Sequence, residues 1–291
     1  MKFLLPFRYV IEFFLFKLIF ILLICFPKKI SSSIFSYTFM LLGRLSKYNK
    51  IAKKNCKHVF ANFTDKQINN IINNSWKNLG KNLYELSYLN ELVDDKNKIK
   101  ILGLDRLEII KRKNEPVIFF GIHSGNWEIC VPILDKYGFN VGAIYRHINN
   151  NFFDNYIFKK RTNALKTKKS FYTPKGKQSA KEILSAINKN SSMFVVIDQK
   201  DSAGEKVKLF DIEVKAQTGF LKIARKYNLK LIPVKVTRYN LNNFLIDFYP
   251  AFSPFKKNLS DIDAMLSIHQ TIENWILKNP TQWFWQHNRF N

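Results

Sequence analysis

The feature that most constrains the fold is a short apolar run followed at once by a polar corner, Val-Ile-Phe-Phe-Gly-Ile-His-Ser-Gly-Asn-Trp-Glu over residues 117–128. The four apolar residues at 117–120 predict a fully buried strand. The glycines and the asparagine that follow predict a tight turn into a helix over 127–137. His123 therefore lies just after a buried strand, and Glu128 follows five positions later in the first helical turn.

This arrangement of His123 and Glu128 is one that catalysis uses. The carboxylate can hold one imidazole nitrogen, which leaves the other nitrogen to take a proton from a hydroxyl group. Gly125 and Asn126 let backbone N–H groups point into the same space, where they can contact a substrate. The alternative is a core histidine with structural hydrogen bonds beside an ordinary glutamate at a helix start. A single His-x4-Glu pattern does not decide between the two.

Composition narrows the class of protein. The chain has 291 residues, 46% of them hydrophobic, which suits one large α/β domain with an appendage and argues against disorder. The net charge of +25 requires an acidic partner, which is a nucleic acid, an anionic membrane surface, or an acidic substrate or protein. The three cysteines are far apart without a Cys-x2-Cys pair, so we expect no metal site, no disulfide framework and a reducing compartment.

The N-terminal region carries a nearly continuous apolar run over 10–26, interrupted by Glu12 and Lys17. We interpret residues 1–30 as a membrane-anchor helix that either spans the bilayer once or lies in its interface. A cleaved signal peptide is the main rival. No small-x-small cleavage site follows the run, and Pro-Lys-Lys at 27–29 is a poor exit from a signal.

Residues 31–98 are predicted to form a basic helical segment. Thr64 is a candidate N-cap for a helix that starts near Asp65, and apolar residues recur after it at helical spacing. Such helices suit either a membrane surface or packing against the main domain, and the sequence leaves both open.

From residue 99 to 291 the pattern becomes α/β. Predicted strands at 116–120, 140–145, 192–197, 229–236 and 244–248 alternate with helices at 127–137, 152–162, 177–188, 217–227 and 261–278. This alternation predicts a mixed, mostly parallel sheet flanked by helices. Ligands of such sheets bind at the carboxyl ends of the strands, where His123, Arg146, Asp198 and Gln199 fall. Each polar residue taken singly is also a common turn former.

At this point the chain resembles the bacterial lipid A biosynthesis acyltransferases of the late lauroyl/myristoyl type, which are related to glycerolipid acyltransferases. The resemblance covers nearly the whole chain, and two of its blocks depart from the family pattern: His147 stands where the family usually has proline, and Asn288 replaces an arginine. The matching blocks, in order, are the N-terminal anchor, 121–128, Tyr145-Arg146, a basic helix with Arg161, Asp198-Gln199 with Gly204, 218–224 ahead of 231–233, and 282–290.

The resemblance implies a glycerolipid-acyltransferase-like fold and an acyl transfer without a cofactor. The donor would be a fatty acyl thioester on acyl carrier protein, and the acceptor a hydroxyl on an acylated glucosamine-disaccharide precursor of lipid A. His123 would be the general base, and Glu128 would hold its imidazole. Arg161 and backbone N–H groups near Gly125 would stabilise the oxyanion.

The remaining candidate residues would bind substrate. Arg146 suits a phosphate or carboxylate of the acceptor, because a guanidinium binds such groups in a bidentate manner. Asp198 and Gln199 either position the sugar or support Arg161, and the sequence does not decide which.

The same resemblance accounts for the basic charge, because acyl carrier protein, the phosphorylated precursor and the inner leaflet are all acidic. It implies a protein of the bacterial inner membrane with its catalytic domain facing the cytoplasm. A same-fold enzyme acting on a glycerolipid or amino-lipid is the alternative, although glycerolipid relatives usually carry Asp where this chain has Glu128. An inactive membrane scaffold and a nucleic-acid-binding protein are more remote alternatives. Against nucleic-acid binding, the sequence has no helix-turn-helix, RNP-type or zinc pattern.

Overall fold

A seven-stranded sheet forms the centre of the protein, whose structure is a computed structural model that describes residues 4–167, 169–240, 242–255 and 259–290. Within these residues the strand order is β1-β9-β8-β2-β5-β3-β4, and β6 and β7 form a separate hairpin. The strands are β1 Ile99–Leu102, β2 Val117–Gly121, β3 Val141–Tyr145, β4 Phe171–Pro174, β5 Ser192–Val196, β6 Glu205–Leu209, β7 Ile212–Ala216, β8 Lys230–Tyr239 and β9 Asn243–Phe248.

The predicted α/β class with a mostly parallel sheet is confirmed. Of the six neighbouring strand pairs in the seven-stranded sheet of the described residues, five run parallel and the β8–β9 pair is antiparallel. Strand β2 lies between β8 and β5, and all five of its residues are buried. This explains its apolar sequence, because a central parallel strand is covered by helices on both faces.

The strands that the sequence analysis missed are β1, β4 and the β6–β7 hairpin. β1 and β4 are four-residue strands at the two edges of the sheet, where few buried residues are needed. The hairpin alternates charged and apolar residues, but its turn has Phe210 and Asp211, both with positive φ, in place of the usual Asn-Gly. Without glycine the turn lacks its sequence signal.

Helices cover the sheet and precede it along the chain. The long helix predicted at 261–278 is confirmed at both bounds, and the helices predicted at 152–162, 177–188 and 217–227 match within two residues. The helices are α1 Leu4–Ile24, α2 Lys28–Leu45, α3 Lys47–Val59, α4 Asp65–Glu85, α5 Leu89–Asp94, α6 Leu104–Lys113, α7 Cys130–Lys136, α8 Asn151–Asn163, α9 Lys177–Ile187, α10 Gly219–Tyr227 and α11 Asp261–Lys278.

The helix expected at 127–137 begins differently. Trp127–Ile129 forms one turn of 3-10 helix, and α7 starts only at Cys130. Pro132 then occupies the first turn of α7, the part of a helix where a missing N–H group leaves no bond unmade.

Helix α4 starts where its cap predicts. The Thr64 side chain accepts from Gln67 N at 3.3 Å, and the Gln67 side chain accepts from Thr64 N at 2.8 Å. This capping box satisfies two backbone donors at the helix start. Buried apolar residues of α4, among them Ile68, Ile72 and Trp76, join the core on one face of the sheet.

The N-terminal helices α1 and α2 bury only one side. Phe16 and Phe20 of α1 pack with Phe35 of α2, whereas Phe14 and Leu22 are 65% and 61% exposed. No helix in the part of the chain that the structure describes is long and apolar enough to cross a membrane. The expectation of a spanning anchor is therefore not confirmed. The division into segments 1–30, 31–98 and 99–291 stays a prediction.

Candidate active site

A cavity of about 690 Å³ opens at the carboxyl ends of the central strands. This volume lies within the range of small-molecule sites, roughly 300–1,000 Å³. His123 and Gln199 lie on its polar side, together with Arg146 and Arg161. Its lining also includes the apolar side chains of Leu79, Leu83, Leu86, Val131, Ile157 and Phe194. The cavity thus combines apolar side chains with a histidine and basic groups.

The His123 imidazole is held by Asp198. Nδ1 lies 2.6 Å from Asp198 Oδ1, and the main-chain N of His123 donates to Oδ2 at 3.1 Å. Nε2 lies 3.3 Å from the side-chain nitrogen of Gln199. Because Nδ1 donates its proton to the carboxylate, Nε2 is the nitrogen left free to act as a base.

Strand pairing brings His123 and Asp198 together although 75 positions separate them along the chain. β2 and β5 run parallel in register, with Gly121 opposite Val196. The pairing continues one residue further, where Ile197 N donates to Gly121 O at 3.0 Å. His123 and Asp198 therefore leave neighbouring strands at the same level.

Asp198 is ionised in this site. Burial of its carboxyl would raise its pKa, but the charges of His123 and Arg289, with hydrogen bonds from His123 and Trp283, hold that pKa well below its usual range. A carboxylate in this position keeps one imidazole tautomer and stabilises the imidazolium that forms when the base takes a proton.

Glu128 does not hold the imidazole, which corrects the expected arrangement. Its two carboxylate oxygens accept from Arg161 Nε and Nη2, both at 2.6 Å, and Trp127 Nε1 donates to Oε1 at 3.0 Å. Burial would raise the pKa of Glu128, but the Arg161 charge makes the net shift downward. Glu128 lies in the 3-10 turn Trp127–Ile129 and pairs with Arg161 of α8, whereas Asp198, just after β5, lies beside the histidine.

Arg161 lies on α8 at the cavity wall. Its guanidinium carbon is 5.7 Å from the ring centre of Tyr145 and 5.9 Å from that of Tyr172. Burial would lower the pKa of Arg161, but the Glu128 carboxylate raises it, so the pair stays charged. A planar, charged donor is thereby fixed close to the histidine.

Gly125 and Asn126 shape the corner and are not among the residues that line the cavity. Gly125 has φ +60°, and a Cβ atom there would come 2.6 Å from Val236 O. The Asn126 side chain is fully buried, donates to Glu85 Oε2 at 2.8 Å and accepts from Glu128 N at 3.2 Å. The Asn126 side chain thus holds the turn, and a substrate contact through the backbone N–H groups of Gly125 and Asn126 stays a prediction.

A buried polar network behind the corner was missed in the sequence. Asn78 and Asn82 of α4 donate to Gly125 O at 2.9 and 2.6 Å. Arg238 of β8 is paired with Glu85 through both of its terminal nitrogens and also donates to both asparagines. The signal was present, because residues 78, 82 and 85 place polar groups on the apolar face of a helix.

The C-terminal segment 282–290 forms another part of the site whose role the sequence did not reveal. Phe284 N donates to His123 O at 2.9 Å, and the Phe284 ring lines the cavity. Trp283 Nε1 donates to Asp198 Oδ2 at 2.7 Å. Asn55 of α3 holds the segment by donating to Trp285 O and His287 O at 2.8 and 2.7 Å.

Arg146 follows β3 at the mouth of the cavity and is exposed. Among the described residues it has no hydrogen-bond or ion-pair partner. Beside it, the exposed side chain of His147 pairs with Asp154 Oδ2 at 2.5 Å. The exposed guanidinium of Arg146 is therefore available to an anionic group that enters the cavity.

The comparison with protein families identifies the chain. The model of the family described as bacterial lipid A biosynthesis acyltransferase matches residues 1–291. The chain belongs to this family. The comparison with curated proteins finds no match. In this lipid A acyltransferase family member, the histidine and the ionised carboxylate that bonds it lie beside the cavity with its apolar and basic lining.

The segment 282–290 is expected to make stability depend on pH through His287. Burial lowers the pKa of His287 from 6.5 to about 4, and its Nε2 accepts from Lys200 N at 3.0 Å. Between those pH values the unfolded chain binds a proton and the folded protein does not, so stability falls as the pH falls from 6.5 to 4. We expect this loss to reach up to about 3 kcal/mol.

Chemical denaturation of the wild-type protein and His287→Asn across this pH range tests the expectation. The free energy of unfolding of the variant should fall less, because the variant lacks the His287 imidazole. His269, whose pKa burial also lowers, contributes equally to both proteins. Parallel pH profiles for the two proteins would contradict the assignment.

Proposed function

We propose that this protein transfers a fatty acyl chain from acyl carrier protein to a hydroxyl of an acylated glucosamine-disaccharide precursor of lipid A. The observation that carries the proposal is the His123–Asp198 pair at 2.6 Å, with the histidine in the lining of a cavity that combines apolar and basic side chains. Family membership supplies the reaction class. No cofactor is required, because an acyl thioester is already activated.

The reaction follows from the free nitrogen of His123. Nε2 takes the proton of the acceptor hydroxyl as its oxygen forms a bond to the thioester carbon. The C–S bond of the tetrahedral intermediate then breaks, and the thiolate takes the proton back from the imidazolium. General base catalysis of this kind contributes roughly 100- to 10,000-fold to the rate.

Arg161 is the proposed donor to the oxyanion of the intermediate. Glu128 takes two of its five N–H bonds and fixes the guanidinium plane at the cavity wall. The remaining N–H groups of Arg161 donate to the thioester carbonyl oxygen, on which negative charge develops in the intermediate. A preorganised donor of this kind is typically worth roughly 3 kcal/mol of transition-state stabilisation.

The substrate contacts follow from charge and polarity. Arg146 at the mouth of the cavity suits a phosphate of the precursor, and Gln199 beside Nε2 suits the sugar or the reacting hydroxyl. The apolar side chains that α4, α7 and α8 contribute to the lining suit the acyl chain. The net charge of +25 favours both acidic partners, the acyl carrier protein and the phosphorylated precursor.

The outer faces of α1 and α2 are the proposed membrane contact. They expose apolar residues, such as Phe7, Phe14 and Leu45, beside basic side chains. Helices of this kind lie in the interface of an anionic bilayer. The protein would then lie at the bacterial inner membrane with its cavity on the cytoplasmic side.

The test is mass spectrometry of lipid A from a Gram-negative strain that lacks its own late acyltransferase, with and without this gene. We expect a mass gain of one fatty acyl chain, which also gives the chain length, and its loss with His123→Ala. No gain despite good expression would overturn the acceptor assignment. The total lipids would then be screened for a glycerolipid or amino-lipid product.

A further inference from the structure

The carboxylate oxygen of Asp198 that does not bond the imidazole has side-chain donors of its own. This Oδ2 accepts from Trp283 Nε1 at 2.7 Å and from Arg289 Nη2 at 3.2 Å. Arg289 Nε also donates to the main-chain oxygen of Asp198. All three residues are at least 97% buried, so water does not replace these bonds.

Trp283 and Arg289 also support each other. The guanidinium carbon of Arg289 lies 4.1 Å from the centre of the Trp283 ring, a cation–π contact. The main chain of Trp283 is fixed in turn, since Ser75 Oγ donates to its carbonyl oxygen at 2.6 Å and Ser124 pairs with it in a β-bridge. The C-terminal segment therefore presents two donors to Asp198 from a rigid backbone.

We propose that Trp283 and Arg289 are positioning residues that hold Asp198 against His123 for proton transfer. They touch neither substrate nor the reacting atoms, and they act through the carboxylate. The proposal rests on the proposed function, in which His123 is the general base.

The physical reason is rotation of the carboxyl group. Oδ1 bonds the imidazole at 2.6 Å, and rotation about the Cβ–Cγ bond of Asp198 would lose that geometry. The main-chain N of His123, which donates to Oδ2 at 3.1 Å, is one restraint on this rotation. The two side-chain donors on Oδ2 restrain it further. Arg289 remains a cation at neutral pH, since burial lowers its pKa only to about 10. It thus also favours the ionised carboxylate.

A pH effect follows. Without the indole donor the carboxylate turns away from Nδ1 and stabilises the imidazolium less, so the neutral base is already reached at lower pH. The acid limb of the kcat/KM profile should therefore move to lower pH. The charged or titratable groups around the pair come from the 3-10 turn after β2, the end of β3, α8, α11 and the C-terminal segment; they are Glu128, Arg146, Arg161, His269, His287 and Arg289.

The chain offers a matched pair of variants, Trp283→Phe and Trp285→Phe. Both tryptophans are fully buried, their ring centres are 4.5 Å apart, and each indole donates at 2.7 Å. The acceptor of Trp285 is Pro280 O, not Asp198. A purely structural role of the segment should affect both variants equally, and a positioning role should affect only the first.

The experiment measures acyl transfer against pH and, separately, the NMR titration of the labelled His123 ring. We expect Trp283→Phe to lower kcat about tenfold at unchanged KM, equivalent to about 1.4 kcal/mol. We also expect the His123 ring resonances of this variant to titrate at lower pH than in the wild type, with Trp285→Phe like wild type in both respects. If Trp283→Phe does not fold, Arg289→Lys tests the same contact, because lysine keeps the charge but lacks the planar pair of donors.

Equal changes in both tryptophan variants, or an unmoved titration in Trp283→Phe, would overturn the proposal. The NMR titration needs neither donor nor acceptor. Wild-type protein without acyl transfer but with the expected titration difference would refute the proposed function and support the positioning of His123 by this segment.

Discussion

His123→Ala should lower the turnover of acyl transfer by at least about 100-fold without loss of folding. The variant removes the nitrogen that takes the hydroxyl proton, and water at the cavity is a far weaker base. Asp198→Asn should cause a loss of similar order, because an amide can offer its N–H to Nδ1 and so favours the wrong tautomer. The measurement is the initial rate with purified enzyme, labelled acyl donor and precursor, with thermal unfolding as the check on folding.

The control for this prediction is His147→Ala. His147 lines the same cavity and is also bonded to an aspartate, Asp154, at 2.5 Å. Its side chain is 62% exposed and follows β3, away from the paired ends of β2 and β5. We expect its loss to change the rate by less than about tenfold. Equal losses in the two histidine variants would show that His123 has no special role.

Arg238→Ala should lower the free energy of unfolding by about 3–5 kcal/mol. Arg238 and Glu85 form an ion pair whose side chains are only 7% and 1% exposed, so the substitution leaves an uncompensated carboxylate in the core. It also removes the donors to Asn78 and Asn82, which hold the Gly125 carbonyl of the active-site corner. Chemical denaturation monitored by circular dichroism measures the change.

Arg225→Ala is the matched control, since Arg225 pairs with Asp261 at 2.8 Å on the surface. Exposed pairs of this kind contribute about 0–1 kcal/mol, so this variant should be nearly as stable as the wild type. The double variant Arg238→Met with Glu85→Leu should recover much of the loss, because it leaves no unpaired charge in the core. If Arg238→Ala lowers the free energy of unfolding by less than about 1 kcal/mol, the buried network does not support the structure.

The local elements of this protein were largely predictable. Thr64 and Gln67 form the capping box that starts α4, and Ser260 caps α11 by accepting from Asp263 N at 3.1 Å. The apolar residues of β2 all lie in the core. These features depend on neighbours within a few positions, so the sequence carries them directly. The β6–β7 hairpin was missed because its turn residues, Phe210 and Asp211, lack the usual signal.

The candidate site likewise has features that the sequence predicts and features that depend on the tertiary structure. The sequence by itself determined that His123 follows a buried strand, and that Asp198 and Gln199 follow another. It could not determine which carboxylate holds the imidazole, because Glu128 is close along the chain whereas Asp198 is 75 residues away.

Only the tertiary structure decided these contacts. The parallel pairing of β2 with β5 places Asp198 beside His123, and the position of α8 places Arg161 beside Glu128. The partners of Asp198 in the C-terminal segment depend on the same tertiary structure. Contacts between distant segments arise from strand register and core packing, which local sequence patterns do not encode.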